Sequence, residues 1–144
     1  NGGLAVIGDL YKTSVFALCD WLDSDAARGC RQALGLPTHG ELVGEAIRRK
    51  PPSAELRPNQ KDSDSLPDYE ALDALLKALI QERQSGPTLV AAGHDPDLVE
   101  RVERLLKRAE FKRRQAAPLL KVSPQAFGSG WGCPLQRPKA IPPW

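Results

Sequence analysis

The sequence predicts a mostly α-helical chain with about one short strand. Apolar residues recur at spacings of three and four along about four stretches, which is the period of amphipathic helices. A short apolar run of the kind found in strands occurs at residues 4–7, directly after two glycines. The length of 144 residues suits one domain with a modest core.

The first two predicted elements are this strand and a helix. The run at residues 4–7 is typical of a buried strand or of a tight apolar connection. A lone strand has no partner for its backbone groups, so its sheet is expected upstream of residue 1. Helical spacing begins at Thr13, and Thr13 or Ser14 is predicted to cap this helix. The helix is predicted to end at residues 23–25.

A second helical stretch and a long loop follow. Helical spacing through residues 42–47 stops at Pro51 and Pro52, because proline lacks an N–H and disfavours the helical conformation in the residue before it. Residues 53–67 are rich in Pro, Asn, Asp and Ser and poor in large apolar groups. We therefore predict a mobile loop there.

Two better-defined helices are predicted after the loop. The first carries an apolar stripe from Tyr69 to Ile80, preceded by a proline and an aspartate. After a short turn at residues 89–92, Asp95 is predicted to cap the longest helix, with a proline at its first position. Its inner face is expected to carry Leu98, Val102, Leu105 and Ala109. Its outer face is expected to carry the pairs Glu100–Arg104 and Glu103–Lys107.

Composition and charge narrow the function classes. A net charge of +2 is too small to imply a nucleic-acid or membrane partner by itself. No apolar run approaches the roughly 18 residues that span a bilayer. The three cysteines form no C-x-x-C pair, so reduced thiols and a cytoplasmic location are expected rather than a zinc site or disulfide. Methionine is absent, so the chain is expected to begin inside a longer protein or to follow processing.

Four places could carry chemistry, and each also has a purely structural interpretation. Lys112 and Arg113, at the end of the longest helix, could bind phosphate or carboxylate, or could simply interact with the helix dipole. Ser53, held by two prolines, could bond a phosphate or ribose oxygen, or cap a turn. Lys12, between strand and helix, could meet a ligand or be solvated. The acidic residues 62–65 could hold Mg²⁺ or be solvated.

Three separated segments carry uncommon motifs. The first reads Asn-Gly-Gly-Leu-Ala-Val-Ile-Gly-Asp-Leu-Tyr-Lys-Thr at residues 1–13, and the second reads Lys-Pro-Pro-Ser-Ala-Glu-Leu-Arg-Pro at residues 50–58. The third reads Glu-Phe-Lys-Arg-Arg-Gln at residues 110–115. In this order they resemble the C-terminal part of the synthetase domain of glutamine-dependent NAD⁺ synthetases. The second matches the mobile active-site loop of that family.

The resemblance implies a fold and a reaction. The family's synthetase domain is α/β overall, a Rossmann-like fold of the adenine-nucleotide α-hydrolase type. Residues 1–128 would form its C-terminal part, and residues 129–144 an irregular Gly- and Pro-rich tail. The family uses ATP and Mg²⁺ to adenylate the nicotinate carboxylate of deamido-NAD⁺, and ammonia then displaces AMP to form the amide. A nitrilase-like domain, absent from these residues, releases the ammonia from glutamine.

The resemblance also implies residue roles. Lys12 and Ser53 match residues that contact ATP, and Lys112 matches one that contacts deamido-NAD⁺. Arg113 is added to the deamido-NAD⁺ set on its charge alone. The family's Ser-Gly-Gly-x-Asp-Ser loop is absent, and Mg²⁺ ligands are expected upstream of residue 1. We therefore expect no catalytic residue or metal ligand here, no activity from these 144 residues alone, and a homo-oligomeric full-length protein.

Two other function classes stay open from the residues alone. A basic helical module around residues 101–121 could bind anions or nucleic acid, and a steep loss of affinity with salt would reveal it. Aromatic residues for base stacking are sparse there, which disfavours nucleic acid. The third class is a helical interaction segment without a ligand, for which substitution of Lys112 would change no small-molecule binding.

Overall fold

The computed structural model describes residues 3–52, 58–59, 61–62 and 66–125. In chain order its elements are α1 (Lys12–Asp23), a 3₁₀ turn (Asp25–Ala27), α2 (Arg28–Ala33), α3 (Glu45–Arg48), α4 (Tyr69–Ile80), α5 (Gly86–Ala91) and α6 (Pro96–Arg114). The prediction of a mostly helical chain is confirmed for these ranges. Most of the predicted loop at 53–67 and the tail at 129–144 lie outside them.

The chain divides into two compact units. We call Tyr11–Asp73 the middle unit, and Asn1–Leu10 together with Ala74–Trp144 the terminal unit. Helix α4 begins in the middle unit and continues in the terminal unit. In the described ranges, no helix combines the length and hydrophobicity needed to cross a membrane.

The strand predicted at residues 4–7 is wrong. Ala5 forms a single parallel bridge with Leu119, and its N–H donates to the carbonyl of Pro118 at 2.8 Å. The chain then turns, because the N–H of Gly8 donates back to the carbonyl of Ala5 at 3.1 Å. This local bond closes a turn where a ladder would have continued. The tight apolar connection, which the same run also allowed, is what forms.

Helix α1 starts with a cap that comes from a distant residue. The predicted cap at Thr13 or Ser14 is wrong, since the helix begins at Lys12 and has no side-chain cap from its own N-cap residue. Instead, Asp73 of α4 accepts the Thr13 N–H at 2.8 Å, from 60 residues along the chain. A carboxylate in this place satisfies an amide of the first turn and interacts favourably with the helix dipole. The predicted end at residues 23–25 is confirmed by the last helical residue, Asp23.

Buried Arg31 organises the middle unit after α1. Its residue is 3% exposed, and it lies in α2, a helix that lacks an apolar stripe and was not predicted. The guanidinium donates to four backbone carbonyls, those of Leu22, Pro37, His39 and Gly40. One side chain thus ties the loop after α2 to the end of α1.

Asp23 organises the next segment by accepting hydrogen bonds from backbone amides, whereas Arg31 donates to carbonyls. Its side chain is 2% exposed and accepts the N–H groups of Leu42, Val43 and Gly44 at 2.6–3.1 Å. Because these amides bond to Asp23, they do not enter a helix. The helix predicted at residues 42–47 is therefore shorter than expected and consists of the four residues of α3.

The terminal unit has an apolar core. Its buried apolar residues are Leu75, Ala78, Ile80, Leu89, Val99 and Val102. The predicted helices at α4 and α6 are confirmed, as are the Asp95 cap and the pairs Glu100–Arg104 at 3.4 Å and Glu103–Lys107 at 3.2 Å.

The predicted inner face of α6 is wrong by about one residue. Of the four residues expected there, Val102 is buried, whereas the buried neighbours are Val99 and Glu110. The cause is the close approach of α5: a Cβ placed on Gly86 would lie 3.4 Å from Val99 and 2.7 Å from Glu103. The glycine lets α5 pack on that side of α6, which turns the buried stripe towards it.

Candidate functional site

Lys12 lies at the first position of α1, in the middle unit, and is exposed. Its Nζ is 6.0 Å from the centroid of the Tyr69 ring, on α4. One turn further along α1, Phe16 meets the same ring edge-on, with centroids 6.1 Å apart. A cation at this distance from an aromatic face is attracted only weakly. The ammonium is therefore placed beside the ring while still exposed to bind an anion.

Tyr69 also connects Lys12 to the segment that carries Ser53. Ser53 itself lies outside the described residues, but Pro52 before it is described, and its carbonyl accepts the N–H of Asp62 at 3.0 Å. The carboxylate of Asp62 accepts the Tyr69 hydroxyl at 2.5 Å. A chain of two hydrogen bonds and one ring contact thus joins the neighbour of Ser53 to Lys12.

The Tyr69 phenol is held in its protonated form. Burial raises its pKa well above the ordinary value, and the hydrogen bond and charge of Asp62 and the charge of Asp73 raise it further. A neutral phenol donates its proton to the carboxylate. The direction of the Tyr69–Asp62 bond is therefore fixed at neutral pH.

The hypothesis of a magnesium site at the acidic residues 62–65 stays untested, because Asp62 is the one residue of this run that the structure describes. Asp62 already accepts from Tyr69, and residues 63–65 lie outside the described ranges. Among the residues the structure describes, no group of three or more His, Cys, Asp or Glu side chains could hold a metal ion. We derive no step through a metal from these residues.

Lys112 and Arg113 line one cleft of about 310 Å³ in the terminal unit. Small and aliphatic residues make up most of its lining: Ala5, Gly8, Leu106, Ala109, Ala116, Ala117 and Leu119. They come from the turn after residue 4, from the last part of α6 and from the segment after it. The cleft combines an apolar wall with two cations and the carboxylate of Glu110, and an apolar wall beside a cation suits an organic group that carries a negative charge.

The two cations of this cleft differ in their partners. Glu110, which is 1% exposed, accepts from the Arg113 guanidinium at 2.5–3.0 Å and from Arg114 at 3.2 Å. The charge of Arg113 is therefore compensated by a buried carboxylate. Lys112 is exposed and, within the described ranges, makes no ion pair. Lys112 is the better candidate for an incoming anion.

A second carboxylate fixes the turn that forms part of the cleft wall. Asp9 is 2% exposed and accepts the N–H groups of Val122 and Ser123 at 2.8 and 2.7 Å. The segment before α1 is thereby tied to the segment after α6. Sequence reasoning missed this role. The only signal for it was the Gly-Asp pair inside the first motif.

The predicted site residues fall into two groups. Lys12 and the segment next to Ser53 belong to the middle unit, and Lys112 with Arg113 belongs to the terminal unit. Sequence reasoning missed Asp73 and took Tyr69 as part of an apolar stripe. Nothing in the local sequence marks Asp73, because its partner lies 60 residues away.

Comparison with known proteins decides the family. The model of the NAD synthase family matches residues 1–116. The chain belongs to the NAD synthase family. The resemblance inferred from the three motifs is thereby confirmed.

Curated relatives in this family are longer proteins. The glutamine-dependent NAD(+) synthetase of Synechocystis sp. is 44% identical over 135 residues, which cover 94% of this chain and 22% of that protein. The protein of the same name from Rhodobacter capsulatus is 47% identical over 126 residues, covering 88% and 22%. This NAD synthase chain thus spans about a fifth of the length of these relatives.

A solved structure is also similar to the chain. It is a glutamine-dependent NAD⁺ synthetase from Acinetobacter baumannii in complex with ADP, with 30% identity and a TM-score of 0.47. The match covers 88% of this chain and 19% of that one. The α/β, Rossmann-like architecture of a complete NAD synthase domain stays a prediction for this chain.

Proposed function

We propose that residues 1–128 form the C-terminal part of a synthetase domain that converts deamido-NAD⁺ to NAD⁺ with ATP. The observation that carries this proposal is the family match over residues 1–116, which spans the motifs of Lys12 and Lys112. Residues 129–144 are proposed to form an irregular tail. Homo-oligomeric assembly and a cytoplasmic location stay predictions.

The proposed reaction has two steps. A carboxylate oxygen of deamido-NAD⁺ attacks the α-phosphorus of ATP, and pyrophosphate leaves. Ammonia, derived from glutamine, then attacks the acyl carbon of the adenylate, and AMP leaves as the amide forms. Negative charge gathers on the reacting phosphate and on pyrophosphate, so fixed cations lower the barrier. Mg²⁺ would add to this neutralisation, with its ligands outside the described residues.

We assign the two substrates to different units. Lys12 and Ser53, in the middle unit, are proposed to contact ATP. The exposed ammonium of Lys12 supplies a cation for the phosphates, and the bond between Asp62 and Pro52 holds the base of the segment that carries Ser53. Asp73 already occupies the Thr13 amide of α1, so the phosphates are directed to the ammonium.

Lys112 and Arg113, in the terminal unit, are proposed to contact deamido-NAD⁺. The apolar wall of their cleft suits an aromatic ring, and the exposed Lys112 suits its anionic groups. Arg113 is held by Glu110, so its contribution is to shape the cleft and to donate through any guanidinium N–H that faces the ligand.

The test is an assay of the full-length gene product with deamido-NAD⁺, ATP, Mg²⁺ and either glutamine or ammonium. The expected result is NAD⁺ and AMP in equal amounts. Formation of ADP in place of AMP would contradict the acyl-adenylate, and absence of NAD⁺ would overturn the proposal. The 144 residues alone are predicted to be inactive, because their sequence lacks the Ser-Gly-Gly-x-Asp-Ser loop.

A basic helical module that binds nucleic acid is a weaker candidate. Lys107, Arg113 and Arg114 of α6 pair with carboxylates of the same helix, which reduces the charge offered to a polyanion. Binding of RNA or DNA that falls steeply with salt would favour this alternative.

A further inference from the structure

We propose that Asp73 is a positioning residue for Lys12, acting through the first turn of α1. The inference rests on the proposed contact between Lys12 and ATP. It adds a residue that touches neither the substrate nor Lys12 itself. Asp73 lies on α4, in the middle unit with Lys12.

The backbone contact carries the first part of the argument. Asp73 is 4% exposed, and its Oδ2 accepts the N–H of Thr13 at 2.8 Å. Tyr11, the N-cap residue of α1, does not cap the helix with its own side chain. Thr13 follows Lys12 directly, so the bond that fixes its amide also fixes the direction in which the Lys12 side chain leaves the helix.

The side-chain contact carries the second part. Tyr69 precedes Asp73 by four residues on α4, so the two lie on one face of that helix. Its ring contacts Phe16 edge-on and lies 6.0 Å from the Lys12 ammonium. One face of α4 therefore holds the amide of Thr13, next to Lys12, through Asp73 and borders the Lys12 side chain through Tyr69.

Asp73 also affects how this end of the helix can meet a phosphate. It is a buried carboxylate, and its negative charge repels a triphosphate. It occupies an amide that could have bound phosphate at this helix N-terminus. The geometry therefore favours the ammonium of Lys12 as the group that meets the anion.

The experiment measures kcat and both KM values in the full-length gene product. Asp73→Ala is expected to raise the KM for ATP about tenfold, since small misplacement of a binding group is costly. The KM for deamido-NAD⁺ is expected to stay within about twofold. Asp73→Asn keeps an oxygen that can accept from Thr13, and it should restore most of the ATP affinity. The double variant Lys12→Ala/Asp73→Ala should be no worse than Lys12→Ala, because Asp73 acts through Lys12.

Asp95→Ala is the matched control. Asp95 caps α6 by accepting the Asp97 N–H at 3.1 Å, so its loss removes a cap of the same kind from a helix outside the middle unit. Its thermal midpoint should fall as for Asp73→Ala, with an unchanged KM for ATP.

The outcomes separate the two proposals. If Lys12→Ala leaves the KM for ATP unchanged, the proposed role of Lys12 fails. If Lys12→Ala raises it but folded Asp73→Ala does not, or if the two effects multiply in the double variant, the positioning role is overturned. Should Asp73→Ala not fold, Asp73→Glu decides, since it keeps the cap and the charge but shifts the turn. A raised KM for ATP supports positioning, and a wild-type value overturns it.

Discussion

The two units of this chain differ in the interactions that stabilise the interior of each. Among the described residues, the buried apolar side chains of the middle unit are Tyr11 and Ala27, whereas the terminal unit buries a set of six. Both units bury polar groups, but in the middle unit Arg31, Asp23 and Asp73, which bond the backbone of other segments, accompany few buried apolar side chains. Apolar periodicity therefore predicted helices α4 and α6, whereas it missed α2 and overestimated the length of α3, where polar groups hold the backbone.

The largest expected effect is loss of a core side chain in the terminal unit. Leu89→Ala should destabilise the protein by about 3 kcal/mol, because it leaves a cavity at a residue that is 1% exposed. Val90→Ala, the next residue of α5 and 37% exposed, should cost less than about 1 kcal/mol. Urea unfolding gives both values. Hydrogen exchange should place the Leu89→Ala effect in the terminal unit, and equal costs would contradict an apolar core there.

The matching test in the middle unit removes a polar anchor. Arg31→Met should cost about 2–3 kcal/mol, since four carbonyls lose a charged donor. Arg28→Met, on the same helix but exposed and paired with Asp25, should cost less than about 0.5 kcal/mol. Faster hydrogen exchange at residues 34–44 should accompany the first substitution alone. If Arg31→Met left the free energy of unfolding unchanged, the proposed difference between the units would be wrong, because apolar packing would then suffice in both.

These differences explain what the sequence could predict. Helices α4 and α6 were predicted because each has an apolar stripe, and α6 also has its own cap at Asp95. The start of α1 and the length of α3 were wrong because their amides bond to Asp73 and Asp23, which are distant in sequence. Helix α2 was missed because its anchor, Arg31, is a residue type usually placed on the surface.

The candidate site shows the same division. Lys12, Ser53 and Lys112 were predicted from their motifs. Asp73 emerged only from the structure, because it holds the amide next to the proposed ATP-binding residue Lys12 from 60 residues away, and no local pattern marks such a contact. Glu110 lies within the third motif, but its role in holding Arg113 emerged from the structure.

A smaller effect is expected from pH at Asp23. Burial raises the pKa of this carboxyl, but the three amides of residues 42–44 and the charge of Arg48 outweigh burial and lower it below the ordinary value of 3.8. A lowered folded-state pKa stabilises the protein above pH 3.8, and this stabilisation is lost as the pH falls through the folded-state value.

The stability difference between wild type and Asp23→Asn should therefore be largest at neutral pH and shrink towards zero in acid. Unfolding at a series of pH values measures it. Asp25→Asn, whose side chain is 90% exposed, is the control and should show little difference at any pH. A difference for Asp23→Asn that grows in acid would contradict the sign.

The smallest effects concern two glycines of the middle unit. Gly44 has a φ of 81°, so Gly44→Ala should destabilise by about 1 kcal/mol. Gly29 lies inside α2 with open space around its Cα, so Gly29→Ala should stabilise by up to about 1 kcal/mol. The midpoint of thermal unfolding should fall for Gly44→Ala and rise for Gly29→Ala. If both substitutions shifted the unfolding midpoint in the same direction, backbone conformation at these glycines would not determine the stability of the unit.

The division of substrates between the units is tested most directly by measuring both KM values for Lys12→Ala and Lys112→Ala in the full-length gene product. Each substitution removes one charged hydrogen-bond donor, which corresponds to about tenfold or more in affinity. The account predicts a higher KM for ATP in Lys12→Ala and a higher KM for deamido-NAD⁺ in Lys112→Ala, with the other KM within about twofold. If both substitutions raise the same KM, or neither changes one, the assignment of ATP to the middle unit and deamido-NAD⁺ to the terminal unit is wrong.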